Sequence, residues 1–215
     1  MKGRLQALPL VGAIFRWREV TPDEVRAFWH HMSERFDTTT VNKEEATEMQ
    51  LVARALDLLG ILDRDRFLTH FTTTIGKRIY APFEVGSPQG GWDLWSQVVI
   101  CVHEHQHVVQ HDRDVLAYEV SYLTSRASRA RYEAEAYRSN LEMHFWRYGS
   151  MPSTRRLAEL LLDYGCRRED VEVVAQSLAL SAVSVRRGAV MNEATRAAFD
   201  WLDKNVARLR GQSPA

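Results

Sequence analysis

Cysteine is scarce in this chain: Cys101 and Cys166 are the only two among 215 residues. Two thiols do not make a disulfide framework, so a small stapled secreted fold is excluded and a reducing compartment is the simpler setting. Excess charge of either sign is lacking too, with 28 basic against 28 acidic residues. A balanced chain does not read as a nucleic-acid or polyanion binder. Arg126, Arg129 and Arg131, Arg155-Arg156 and Arg186-Arg187 have acids interspersed among them and read as solvated helix faces. Long apolar runs are absent, and none reaches the ~18 residues that span a bilayer. The start, MKGRLQALPLVGAIF, resembles a secretory signal only weakly. Gln6 and Pro9 break it, and no clean small-residue cleavage site follows before Arg16. The expected protein is soluble and cytoplasmic, with neither a membrane nor a nucleic acid as partner. There is also no internal repeat, phosphate-cradling glycine loop, nucleophile elbow or cysteine-based zinc pattern.

What is present is mostly helical periodicity, on a chain long enough for one domain with a real core. Thr21-Pro22-Asp23-Glu24 offers a capping hydroxyl, a proline at the first helical position and acids in the first turn, and predicts a helix to about Phe36. DTTTVN then breaks it. A second helix is expected over about Lys43 to Leu59, stopping at Gly60, and a short third segment around Asp63 to His70. Phe71 to Val85 is rich in threonine, isoleucine, tyrosine and phenylalanine and reads as an extended strand or hairpin, with Pro82 marking an edge position. After the loop GSPQGG, Asp93 is a fitting N-cap for a helix to about His111. Further helices follow over about Val115 to Ser125, Arg126 to Tyr148, Ser153 to Tyr164, Glu169 to Arg187 and Asn192 to Arg210, with a frayed tail. The expected class is α+β, predominantly helical. Residues 1–70 form an N-terminal helical segment, 71–150 a core with a small β-element before the central helix, and 151–215 a C-terminal helical segment.

The central helix carries SQVVICVHEHQHVVQ, which contains the H-E-x-x-H zinc signature at His103, Glu104 and His107. Two histidines four apart lie one helical turn from each other on one face, where both can bind one ion. A glutamate beside the first can take a proton at the open coordination position. On a helical wheel Ser96, Ile100, His103, His107 and His111 share a sector, with Glu104 at its margin, while Val98, Cys101, Val102, Val108 and Val109 lie opposite. His105 points into the apolar side and reads as a core histidine with a hydrogen-bond partner. Cys101 reads as a small buried hydrophobe. Trp92 and Trp95 flank the helix start and read as anchors in the core.

A catalytic zinc site needs a third protein ligand. RYEAEAYRSNLEMH offers Glu133 and Glu135, and helix periodicity separates them. Glu133 shares a face with Tyr137, Asn140 and His144. Glu135 shares one with Arg131, Arg138 and Glu142, at spacings typical of a solvated salt-bridge face. Glu133 is therefore the candidate ligand. Tyr137, His144 and His111 are the candidate donors to a developing oxyanion.

H-E-x-x-H followed by a helix with a metal-binding glutamate resembles the gluzincin metallopeptidases. Glu133-Ala-Glu-Ala136 also looks like the second motif of the CAAX-protease-type branch. The Y-E-x-E-A-Y-like string after H-E-x-x-H-V-x-Q is similar to small zinc-peptidase-like domains of bacteria and phages. The resemblance covers about Thr72 to His144. It implies a zincin-like domain with extra helices at both ends, a zinc (Zn) ion on His103, His107 and Glu133, Glu104 as general base, and a peptide or protein as substrate. Arg78 to Val85 would then be the edge strand along which a peptide aligns. One position departs from the pattern. Where many gluzincins carry an aspartate four residues after the ligand glutamate, this chain has Tyr137, which lacks the charge that raises imidazole basicity. Asp112 or Asp114 are alternative sources of that charge.

Two readings follow. The first is a zinc-dependent metallopeptidase with Glu104 as base. The second is a structural or assembly protein on a zincin scaffold, for example a phage virion component with its own assembly partner, whose metal site is not catalytic. In a third, no metal binds and the histidines merely pack between helices.

Overall fold

A computed structural model of the chain describes residues 19–58 and 64–211. The signal-like start, the expected stop at Gly60 and the tail beyond residue 211 lie outside the described residues. The chain forms a mostly helical α+β fold with one three-stranded sheet.

The first helix, α1, spans Pro22–Phe36 and begins where the sequence expects. The Thr21 side chain accepts from the Glu24 amide and the Glu24 side chain accepts from Thr21, a capping box. Its buried stripe, Val25, Phe28, Trp29, Met32 and Phe36, follows the helical period. A left-handed turn at Asp37 ends it.

DTTTVN does more than break that helix. Thr39–Asn42 is a strand, β1, and pairs in parallel with a strand nearly forty residues later. Two helices intervene, α2 over Thr47–Leu58 and α3 over Arg64–His70. Then come β2, Thr73–Ile75, and β3, Arg78–Ala81, an antiparallel hairpin turned at Gly76 with φ 56°. The sheet order is β1-β3-β2, which corrects the expectation that Arg78 to Val85 is an edge. Pro82 sits just past the last paired residue, so its missing N–H costs no ladder bond. β3 is the middle strand, and β1 and β2 are the edges.

Asp93 caps the next helix, α4, over Leu94–Arg113 by accepting from the Ser96 amide. α4 is the centre of the molecule. It packs against α1, against β2, and against α6 (Arg126–Tyr148) and α9 (Glu193–Asn205). The short α5, Val115–Thr124, links α4 to α6, with Asp114 capping its start. α7 (Thr154–Glu159), a 3-10 turn (Leu160–Tyr164) and α8 (Arg168–Arg186) return along α6.

Three apolar clusters result among the described residues. One joins α1, α4 and α9 around Phe28, Met32, Val98, Val102 and Leu202. Another joins α6 and α8 around Leu141, Leu161, Val174 and Leu178. A smaller one joins α2, α3 and β3 around Met49, Phe67 and Tyr80. Cys101 and Cys166 are both buried and unpaired. Trp95 stacks on Trp146, and Trp92 lies against Phe83. No helix among the described residues is long and apolar enough to cross a membrane.

The α6 face of Glu135, Arg138 and Glu142 is not a solvated one. The start of α9 covers it. Glu142 is buried and accepts the Met191 amide at 2.6 Å, while the Asn192 side chain donates to Glu135 O and to Ser139 Oγ. A carboxylate at a helix N-terminus satisfies amides that have no partner within the helix, which is why the spacing alone misleads here.

Candidate metal centre

α4 and α6 cross so that the His103 and His107 face of one meets the Glu133 face of the other. The three side chains form a buried group that could hold a metal ion, with one ligand atom from each lying within 4.8 Å of the others. His103 Nε2 and His107 Nε2 are 3.2 Å apart. Glu133 places Oε2 3.5 Å from His103 Nε2 and Oε1 3.5 Å from His107 Nε2. A tetrahedron with metal–ligand arms of about 2.0–2.1 Å has edges of about 3.3 Å, so these separations have the right size for nitrogen and oxygen ligands of one ion.

The tautomers agree with the distances. His103 Nδ1 donates to Asn140 Oδ1 at 3.1 Å. His107 Nδ1 donates to Gln110 Oε1 at 2.9 Å, and the Gln110 amide is itself oriented by donating to Tyr132 O at 2.9 Å. Each imidazole thus spends its Nδ1–H on an amide oxygen and turns its Nε2 inward toward Glu133, the second layer that metal-binding histidines use. Glu133 Oε2 is buried and accepts no hydrogen bond. An orphaned carboxylate oxygen beside two inward-facing imidazole nitrogens fits a cation between them.

Electrostatics point the same way. Burial alone would depress His107, but the Glu133 carboxylate and its hydrogen bond outweigh this and hold the imidazole up at about 9. Burial works to raise Glu133, yet His107 and His103 keep it well below the usual carboxylate range. The group therefore prefers a positive charge at its centre, whether a shared proton or a metal.

Glu104, 3% exposed, stands apart from the three. Thr74 of β2 donates to its Oε2 at 2.6 Å, so the edge strand fixes the carboxylate over the helix. β2 is in turn held by Lys43, which is fully buried. Its ammonium donates to Phe67 O, Phe71 O and Thr73 Oγ1 at 2.7–2.9 Å and lies 3.6 Å from the Phe67 ring centre. Burial pulls this lysine down to about 7, with Glu104 opposing the shift.

Tyrosines wall the site. The α5 residue Tyr122 donates to Glu133 Oε1 at 2.5 Å, and the Tyr118 hydroxyl lies 3.3 Å from His107 Nδ1. The Tyr137 ring centre is 5.1 Å from that of His103. Burial and the nearby Glu133 charge raise all three phenols far above their ordinary range, so they stay neutral donors.

Of the residues the sequence singles out, His103, His107 and Glu133 come together, with the Tyr137 ring beside His103 and Glu104 bonded separately by Thr74. His144 does not join them. It is eleven residues beyond Glu133, about 16 Å along the helix, where its Nδ1 bonds Ser150 O and its ring meets Tyr148. His111 lies one turn past His107, with Nε2 3.3 Å from Glu119 Oε1. Asp112 pairs with Lys77 and Asp114 caps α5, so neither supplies the missing second-layer charge. Asn140 and Gln110 fill that place as neutral amides. Glu135 is three-quarters buried and accepts from Gln106 and Arg113 at 2.7 Å each. Thr74, Lys43, Asn140, Gln110, Tyr118 and Tyr122 escaped the sequence reading. Only Asn140 carried a signal, its place on the Glu133 face.

Comparison with protein-family models, with curated proteins and with solved structures finds no match. The resemblance to gluzincins rests on the residues themselves.

Proposed function

We propose that this chain is a zinc-dependent hydrolase of peptide bonds, with zinc on His103, His107 and Glu133 and Glu104 as general base. The observation that carries the reading is the division of labour among four buried acids and imidazoles. Three converge with ligand atoms at metal-edge spacings, and the fourth is hydrogen-bonded by Thr74 instead. Two imidazoles and a carboxylate suit zinc, which when bound supplies Lewis acidity near neutral pH. Glu104 would take up a proton and return it to a leaving amine. Tyr137, beside His103, is the nearest of the proposed neutral donors for an oxyanion. β2, as the edge strand next to α4, takes over the peptide-aligning role expected of Arg78 to Val85.

The test is metal content by elemental mass spectrometry, paired with hydrolysis of a casein-derived peptide mixture. One zinc per chain is expected, lost in His103→Ala and Glu133→Ala. Glu104→Gln should retain zinc and lose hydrolysis. A Glu104→Gln protein as active as its parent removes the base assignment, and a chain that takes up no zinc on reconstitution removes the whole reading.

A second reading is favoured by one observation: His103, Glu104, His107 and Glu133 are at most 5% exposed. A site closed to that degree also suits a structural metal tying α4 to α6 in an assembly protein. A large fall in melting temperature on chelation, with no hydrolysis by the zinc-loaded parent, selects this alternative.

A further inference from the structure

The outer face of α5 has no partner among the described residues. Leu116, Val120 and Leu123 are 77%, 59% and 74% exposed, and their spacing puts them in one stripe. Tyr118 and Tyr122 occupy the opposite face. The helix has a single charged side chain, Glu119, whereas a solvent-facing helix normally carries charges on its outer side. The stripe exposes on the order of 400 Å² of apolar surface per chain, the scale at which a patch marks an interaction site. Two such stripes with their polar rims reach about 1,000 Å², the lower bound for specific association.

The ends of the helix indicate the occupant. Asp114 caps its start and is exposed, and Arg126, the first residue of α6, is exposed just beyond its end. Both are six positions from Val120. An antiparallel pair with its twofold axis at Val120 brings the end of each copy that carries Arg126 alongside the end of the other that carries Asp114, at both ends at once. α8 supplies the contrast. It also exposes Val173, Leu180 and Val183, but Arg167-Arg168 and Arg186-Arg187 flank it, so the same pairing would bring like charges together.

We propose that α5 is a self-association surface, on which a second copy of this chain pairs antiparallel through Leu116, Val120 and Leu123 with reciprocal Arg126–Asp114 contacts. The pairing needs no metal and is independent of the hydrolase reading.

Sedimentation velocity of the full chain, with and without chelator, over about 1–100 µM tests it. The parent is expected to dimerise in that range. The double variant Leu116→Glu with Leu123→Glu, at exposed positions that leave the core alone, is expected to be monomeric with an unchanged circular dichroism spectrum. Arg126→Asp and Asp114→Arg should each weaken pairing at least tenfold. An equimolar mixture of those two variants should recover it, because the heterodimer restores opposite charges at both ends. That recovery also separates lost pairing from any unfolding caused by removing the Asp114 cap. A monomeric parent, or a dimer indifferent to the glutamates, overturns the proposal. A monomeric parent that floats with phosphatidylcholine vesicles overturns it in favour of a lipid surface.

Discussion

The two sides of α4 hold three histidines within five residues, all at most 5% exposed, and two of them, His105 and His107, end in opposite electrostatic states. On the α1 side, burial pushes His105 down to about 4. Its Nδ1 donates to Cys101 O at 2.7 Å and its Nε2 accepts from Thr38 Oγ1 at 3.0 Å. Every polar atom of that ring is used by a neutral partner. On the α6 side, His107 is just as enclosed yet is held up at about 9, because Glu133 lies opposite. Burial selects the neutral imidazole wherever partners are neutral. A buried carboxylate reverses the choice and turns a packing position into a cation site.

The strongest way to break this comparison is to remove the carboxylate. Glu133→Ala should weaken zinc binding by more than about a hundredfold, measured by competition with a chromophoric chelator, while His105→Leu should leave zinc affinity within about twofold. Equal losses in the two variants would show that the two sides of the helix are not functionally distinct.

Lys43 is next in size. Replacing it by Met strands three acceptors and should cost about 3 kcal/mol in urea unfolding. Its pH signature has a definite sign. The folded-state value is about 7 and the unfolded one 10.5, so between them the unfolded chain binds more protons. Parent stability should therefore rise with pH from about 7 to 10.5 relative to Lys43→Met. A parallel pair of stability curves would show that Lys43 keeps its proton throughout that range.

Asn140 and Gln110 sharpen the comparison at the second layer. Asn140→Ala and Gln110→Ala should each lower zinc affinity about 10- to 100-fold by freeing an imidazole to change tautomer. Retention of full affinity would mean that packing alone orients the rings. The smallest effect is expected at the border between the two sides, where Thr74 holds Glu104. Thr74→Val should lower kcat about tenfold with zinc retained, and Thr74→Ser should restore it, a rescue that a purely steric role would not give.

The helices were largely legible in the sequence because capping residues, glycines and helical periodicity are local signals. Thr21, Asp93 and Gly149 mark helix ends that the structure reproduces. The small β-element before the central helix was legible for the same reason, through its threonines and aromatics. β1 was not. Four residues with a parallel partner beyond two helices carry no local period, and DTTTVN reads as a break. The position of β3 in the middle of the sheet follows from that missing strand. Within the site, Glu133 was separable from Glu135 because helical periodicity puts Glu133 on the same face of α6 as Asn140, which meets His103. The burial of Glu142 was not foreseeable, since it depends on α9 returning from fifty residues away, nor was that of Glu135, whose carboxylate meets Gln106 and Arg113 of α4.

By itself, then, the sequence determined which residues share a face: His103 with His107 on α4, and Glu133 with Asn140 on α6, for the helical period is fixed by the backbone. Only the tertiary structure decided which faces meet, which imidazole nitrogen turns inward, and that Thr74 and Lys43 stand behind Glu104. Those depend on contacts between segments distant in sequence, and no local propensity encodes them.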